Sequence, residues 1–317
     1  MAIVDYSTID FSVLPDENLL IGSLVNKASE LYASYGTCDS RCNHPSGSCN
    51  DNNLNCKKCS EEVHFSETCS GANFRSKYNC QKFVYYYTCR YSWKYCSEIM
   101  YAFDNVDLSK YEKYSVLSIG CGQSPDLMAL EQMNRTAQKI ISYKGYDINP
   151  YWTNIHSEIH NYCHQKKNIH CRYELNDVFE VLENNVDIST NIIVISYFLS
   201  SIPDAERHIK ARLLFDLIIS KILAHKGNEP VVIIMNDIDH NTKARDYFDV
   251  LIAGLKQAKC HMNVQKKHFK NRSKDYGDGS IIHCSSGNKF YNIPDNVKDS
   301  YHCAINCTSA QCIIEVN

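Results

Sequence analysis

The sequence predicts an α/β chain: a doubly wound, mostly parallel sheet of seven strands, preceded by a small helical, cysteine-rich segment. Three observations carry this. From Tyr114 onward, short apolar runs alternate with amphipathic stretches five times, and two further strand-like runs follow. The first run, 116–119, breaks at Gly120 and Gly122, after which Leu127, Leu130, Met133 and Ala137 recur at helical spacing. That is strand, tight turn and helix. Nine cysteines lie between Cys38 and Cys96, a density that packing does not require. The expected division is 1–108 and 109–317.

Near the N-terminus, Asp16 is a candidate helix cap, and Leu19, Leu20, Leu24, Ala28 and Leu31 form one apolar stripe. A helix there would pack on the rest of the chain. Residues 36–80 shift to Asn, Ser, Gly and Cys, with too few apolar side chains for a core of their own. Segments of this kind usually need a metal to fold. Cys56-x-x-Cys59 is the strongest element, because a two-residue gap turns both thiolates onto one ion. With Cys42 and Cys49 it makes the expected zinc set; Cys38, His44, His64, Cys69 and Cys80 are alternatives, and two ions would also fit the count. A redox role for the pair lacks the βαβ setting it needs.

Residues 81–106 read as a long helix. Phe83, Tyr87, Tyr91, Tyr95 and Ile99 recur every four positions, Tyr85, Tyr86 and Trp93 widen the face, and Lys82, Arg90 and Lys94 sit among them. Rings interleaved with cations suit stacked bases and phosphates. Four-residue spacing also makes a packed seam between the two parts of the chain, and core packing is the commoner source of that spacing.

The second strand is expected over 140–148, ending at Asp147. Pro150 opens a helix with Ile155, Ile159 and Tyr162 inward, and 169–175 is strand three. The run 192–199 is apolar enough for a strand buried on both faces. Asp204 is the expected cap of a helix bearing Ile209, Leu213, Leu217, Ile218 and Ile222, closed by Gly227. Strand five, 230–235, ends in Asn236-Asp237-Ile-Asp239. A helix over 242–259 follows, then strands over 262–269 and 303–316, read as an antiparallel pair across a polar stretch with Gly277, Gly279 and Gly287.

At 317 residues and 44% apolar content the chain can bury a substantial core, and a formal charge of −3 gives no overall pull toward nucleic acid or anionic membrane. No run approaches the roughly 18 apolar residues of a membrane helix. The N-terminus carries neither a basic region nor an apolar signal core. The expectation is a cytoplasmic protein without membrane contact, whose 17 cysteines are not explained by disulfides.

The chemistry centres on the glycine turn. Glycine there lets backbone approach a ligand at contact distance, and the helix behind it presents free N–H groups. Asp147 lies 25 positions after Gly122 (147 − 122), at the tip of the neighbouring strand, where a carboxylate can accept both hydroxyls of a ribose. Val-Leu-Ser-Ile-Gly120-Cys121-Gly122 resembles motif I of the class I (Rossmann-like) methyltransferases that use S-adenosylmethionine (SAM), and Gly-Tyr-Asp147-Ile148 resembles their ribose-binding motif II. Leu175-Asn176-Asp177-Val-Phe is similar to the segment whose Asp meets the adenine amino group, and 192–197 to motif IV. The resemblance covers about 111–317, and its antiparallel tail distinguishes it from nicotinamide-binding folds. One position departs: Ser124, followed by Pro125, stands where the third small residue is usually glycine.

The resemblance implies SAM bound by Gly120, Cys121, Gly122, Ser124, Asp147, Ile148, Asn176, Asp177 and Ser196, with Cys121 a small filler in the turn. Tyr197, Asn236 and Asp237 are the candidates to orient the methyl acceptor. All lie at carboxyl ends of strands, where open α/β sheets bind ligands. The Asp/Asn-Pro-Pro-Tyr signature of DNA amino methylation is absent, as is a Pro-Cys nucleophile. From Lys57 to Lys94 seven cations (Lys57, Lys58, Arg75, Lys77, Lys82, Arg90, Lys94) face three acids. This favours nucleic acid, RNA over duplex DNA, as the partner of the zinc segment. The alternatives are a protein or small-molecule acceptor, a SAM- and zinc-binding interaction module without turnover, and a nicotinamide-linked enzyme.

Overall fold

The computed structural model describes residues 19–35, 80–184, 188–239, 244–269, 281–283, 293–304 and 306–317. Two helices, α1 (Leu20–Ser34) and α2 (Gln81–Phe103), precede an alternating series: β1 (Tyr114–Ile119), α3 (Pro125–Met133), β2 (Ile141–Tyr146), α4 (Thr153–His164), β3 (Ile169–Glu174), α5 (Val178–Asn184), β4 (Ile192–Ser196), α6 (Asp204–Leu217), β5 (Val231–Ile238) and α7 (Phe248–Gln257). The chain then forms β6 (Met262–His268), β7 (Ile281–His283), α8 (Asp295–Tyr301) and β8 (Ser309–Val316).

All eight strands join one sheet in the order β3-β2-β1-β4-β5-β8-β6-β7. β1 to β5 pair in parallel, and β8 inserts antiparallel between β5 and β6. The seven expected strands are all present. The eighth, β7, is a three-residue strand parallel to β6 at the edge.

Strand alternation divides the core. Val116, Ile192, Val194, Val232 and Ile234 point to one face, which α1, α2, α3, α4 and α8 cover. Leu117, Ile193, Ile195, Ile233 and Met235 point to the other, under α5, α6 and α7. The two N-terminal helices thus share one apolar cluster with the sheet. α1 buries Leu20, Leu24 and Ala28 of the expected stripe. The expected cap Asp16 lies outside the described residues. The Leu20 N–H instead donates to Glu131 Oε2 at 2.8 Å, while the Tyr162 hydroxyl donates to Glu131 Oε1 at 2.6 Å, so one buried carboxylate joins α1, α3 and α4.

α2 buries 20 of its 23 residues, which decides between the two readings of its aromatic face. Its rings form a ladder inside the molecule, with Tyr87–Tyr91 at 4.6 Å, Tyr91–Tyr95 stacked at 5.4 Å and Tyr95–Tyr197 at 4.3 Å between centroids. The face is a packed seam and offers no platform for bases.

α6 corrects the expected stripe. Leu217, Ile218 and Ile222 are buried, but Ile209 is 69% exposed and Leu213 38%. Arg207 takes the inward position instead, donating to the carbonyls of Leu199 at 2.9 Å and Ile202 at 2.7 Å, with Ala211, Leu214 and Phe215 behind it. Asp204 is the first helical residue, paired with Arg207, and Pro203 holds the cap position. The helical path continues through a π turn, Ile218–Ile222, to His225 before Gly227. Among the described residues no helix is long and apolar enough to cross a membrane.

Candidate active site

The glycine turn sits at the carboxyl end of β1. Gly120 and Gly122 have φ of +64° and +48°, the region L side chains avoid. A Cβ on Gly120 would stand 2.5 Å from Cδ2 of Phe198, so the turn and the segment after β4 interlock only because the residue is glycine. Ser124, the departure noted in the sequence, is also left-handed at φ +59°. Its hydroxyl lies 2.9 Å from that of Tyr173. Cys121 is buried, 4% exposed, and packs beneath Gly145, where a Cβ would come within 2.9 Å of its sulfur. Burial raises its thiol well above the ordinary range, which suits a filler and not a nucleophile.

Asp147 meets the turn directly. Its Oδ2 accepts the Gly122 N–H at 3.0 Å and its Oδ1 the Asn149 N–H at 2.9 Å. Burial nevertheless pushes this carboxyl up to about 6, against the lowering effect of these N–H groups. Beside it Ile148 is 60% exposed, and at the end of the adjacent β3 Leu175 is 53% exposed. Ile148 and Leu175 are thus large apolar side chains left open to solvent at the tips of neighbouring strands. Asn176 is exposed and within 3.4 Å of Glu174 Oε2. Asp177 accepts the Phe179 N–H at 3.0 Å, at the start of α5. In the turn itself, Gln123 is 3% exposed and its Nε2 finds no hydrogen-bond partner among the described residues.

The turn has a second anchor that the sequence reading did not single out. His156 of α4 places Nε2 2.7 Å from the Gly122 carbonyl and 3.7 Å from Cys121 Sγ. Its ring lies flat on Tyr173, 4.1 Å away and 7° from parallel. Burial lowers its pKa to about 4, against the raising effect of the carbonyl bond. The signal available was only helical spacing: His156 follows Ile155 of the inward face by one position.

At the tips of β4 and β5, the expected acceptor-orienting residues separate. Tyr197 and Asn236 converge on Glu98 of α2, which is fully buried. The Tyr197 hydroxyl donates to Glu98 Oε2 at 2.9 Å and Asn236 Nδ2 donates to the same oxygen at 3.1 Å. Glu98 Oε1 accepts the main-chain N–H groups of Thr308 at 2.9 Å and Ser309 at 3.3 Å. The Asn236 carbonyl oxygen accepts from Ser309 Oγ at 2.6 Å and Gln311 Nε2 at 3.0 Å, and Ser196 Oγ lies 3.4 Å from its amide nitrogen. Tyr197 has φ +52°, and burial with the adjacent Glu98 carboxylate holds its hydroxyl protonated. Asp237 points to the opposite face of β5, as alternation requires, where it accepts the Ser200 N–H at 3.2 Å. Burial pushes its carboxyl up to about 6.

The expected zinc ligands Cys42, Cys49, Cys56 and Cys59, with the alternatives Cys38, His44, His64 and Cys69, lie outside the described residues. Cys80 is described and buried at the start of α2. Among the described residues no group of three His, Cys, Asp or Glu side chains could hold a metal ion. Of the seven cations counted between Lys57 and Lys94, the three described ones have partners within the fold. Lys82 lies over the Tyr32 ring, Arg90 donates to the Tyr91 hydroxyl and the His302 carbonyl, and Lys94 lies 3.8 Å from Glu98.

No family model matches the chain, and no curated protein is similar to it. Several solved structures are similar at low identity. A SAM-dependent methyltransferase from Archaeoglobus fulgidus is 16% identical over 70% of this chain and 94% of its own, with a TM-score of 0.38. The plantazolicin methyltransferase BpumL in complex with SAH is 14% identical over 93% and 99%, with a TM-score of 0.38. The magnesium protoporphyrin IX methyltransferase ChlM from Synechocystis PCC 6803, with bound SAM, is 11% identical over 82% and 90%, with a TM-score of 0.39. At this identity and TM-score these likenesses carry no argument about the ligand or reaction of this chain.

Proposed function

We propose that this chain is a SAM-dependent methyltransferase. The observation that carries the reading is the contact between Asp147 and the Gly122 N–H, made across adjacent parallel strands in a sheet whose antiparallel strand inserts between β5 and β6. The residues present fit the cofactor. A carboxylate has about four acceptor positions, and Asp147, whose Oδ2 accepts from Gly122 and Oδ1 from Asn149, keeps acceptor capacity for a ribose hydroxyl. Ile148 and Leu175 offer exposed apolar surface for an adenine, and the Gln123 amide, without a partner among the described residues, is a donor for a carboxylate. Bound SAM would supply an electrophilic methyl group; the protein's part is to align and desolvate.

On the acceptor side the chain orients and does not deprotonate. The Tyr197 hydroxyl donates a hydrogen bond to Glu98, which leaves its oxygen lone pairs to accept an N–H or O–H of the acceptor. Asp237 takes no part, because it faces the other side of the sheet. A SAM-binding module without turnover is the second reading. It is favoured by one observation: both polar groups of Asn236 are taken up inside the fold.

The finer reading adds a zinc ion on Cys42, Cys49, Cys56 and Cys59 and an RNA acceptor. Support for RNA narrows to Lys57, Lys58, Arg75 and Lys77, since the other three cations already have partners within the protein.

Titration calorimetry with SAM, its demethylated product and NAD tests the cofactor. SAM and its product should bind and NAD should not; tighter NAD binding overturns the reading. Transfer from labelled SAM to total RNA, DNA or protein then separates enzyme from module.

A further inference from the structure

We infer that His156 and Tyr173 brace the glycine turn, making His156 a positioning residue for the cofactor. This rests on the SAM reading of the site. The Gly122 residue is held at both ends: Asp147 of the β2 tip takes its N–H at 3.0 Å, and His156 of α4 holds its carbonyl at 2.7 Å. A carbonyl accepts, so Nε2 must carry the proton, and with burial lowering the ring's pKa to about 4 the expected form at neutral pH is the neutral Nε2–H tautomer.

The ring cannot swing away, because it lies flat on Tyr173 at 4.1 Å and against Cys121 Sγ at 3.7 Å. Tyr173 in turn joins Ser124 at 2.9 Å. Two of the turn's three left-handed residues, Gly122 and Ser124, are therefore tied to one stacked pair. This also gives Ser124 a purpose that glycine would not serve: its hydroxyl fixes the last residue before α3. With Gly122 held, the peptide dipoles of the turn cannot flip a carbonyl toward an approaching carboxylate or ribose.

Two measurements test the brace. The first needs no ligand. Long-range 15N–1H correlation spectra of the full chain at neutral pH should show His156 as neutral with the proton on Nε2. The Nδ1–H tautomer, which leaves the Gly122 carbonyl without this donor, overturns the proposal. The second is calorimetry with S-adenosylhomocysteine as probe. His156→Ala should lose about tenfold or more in affinity, the worth of one well-made hydrogen bond to a ligand-facing turn. His156→Gln, whose amide N–H can reach a carbonyl, should restore most of that affinity. Ser124→Ala and Tyr173→Phe should weaken binding equally, because they delete the same bond.

Wild-type affinity in His156→Ala overturns the positioning role. Should His156→Ala lack a cooperative thermal transition, His156→Gln decides: folded and binding supports the brace, folded and not binding overturns it. Failure of wild type to bind the probe, with the expected tautomer present, overturns the cofactor reading and the positioning role with it, and is told apart by the spectra.

Discussion

Asp147 is held on two main-chain N–H groups, yet its carboxyl is pushed up to about 6 by burial. A neutral acid accepts ribose hydroxyls poorly, so SAM binding should take up the ionised form and release a proton below that pH. Affinity should be level above pH 7 and fall as pH drops through about 6, toward about tenfold per pH unit. Asp147→Asn should bind weakly at every pH, without that slope; a wild-type slope in the variant would show that another group titrates. The sign for stability follows from the same shift. The folded value lies above the ordinary 3.8, so the contribution is present below about pH 4 and lost as pH rises through about 6. Melting temperatures of Asp147→Asn should therefore gain on wild type between pH 4 and 7. Gly120 is the other sharp residue. Gly120→Ala places a Cβ 2.5 Å from Phe198 at φ +64°, and left-handed strain alone costs about 1–2 kcal/mol. Adding Phe198→Ala should relieve the clash and leave the strain, which a double-mutant cycle in urea would show as positive coupling. The placement of both was legible before the fold was known, because a glycine pair after one apolar run and an acid at the end of the next point to the same end of a parallel sheet when read together, though either alone is a common pattern. Ser124 was legible as a departure, but its partner Tyr173 was not, since contact across two strands leaves no spacing to read.

At the scale of elements, α2 is where sequence and structure part most usefully. Its four-residue rhythm correctly marked a buried face, and the ladder from Tyr87 to Tyr197 is that rhythm made physical. Glu98 gave no such signal, being a single acid within a tyrosine-rich helix. It is nevertheless the point where α2 meets β4, β5 and the segment entering β8, through Tyr197, Asn236, Thr308 and Ser309. Glu98→Ala would leave buried donors from three separate segments unpaired, at about 1–3 kcal/mol each. A loss of about 3 kcal/mol or more is expected in urea unfolding, and Glu98→Gln should lose less. A loss below about 1 kcal/mol would mean that the buried donors find other partners. The α6 stripe was misread for a related reason. Periodicity counts apolar side chains only, whereas the carbonyls of Leu199 and Ile202 recruit Arg207 inward and turn Ile209 and Leu213 out to solvent.

At the scale of the whole molecule, two proposals concern one chain: a site at the ends of the described sheet's strands, and a cysteine-rich stretch between the two N-terminal helices in sequence. If Cys42, Cys49, Cys56 and Cys59 hold zinc, the purified protein should carry about one equivalent, and chelation should lower its thermal stability, because binding of a structural ion is folding free energy. Less than about half an equivalent, with an unchanged melt after chelation, would remove zinc from the account. The same stretch carries the case for RNA, and the partners of the helix cations within the fold make that case quantitative. Were all seven cations on phosphate, single-stranded RNA would lose affinity with a log–log salt slope of about −5, at about 0.7 per phosphate. With Lys82, Arg90 and Lys94 spent on Tyr32, on Tyr91 and His302, and on Glu98, four remain, and the expected slope is about −3. Charge reversal at Lys57 and Lys58 should bring it to about −1.5 or shallower and leave SAM affinity untouched, since the proposed SAM contacts are made by Asp147 and the glycine turn at the strand tips. A slope near −5 would mean that the helix cations leave their internal partners on binding. No RNA binding at low salt, or binding indifferent to salt and to the reversal, would move the acceptor to a protein or a small molecule and leave the SAM site as it stands.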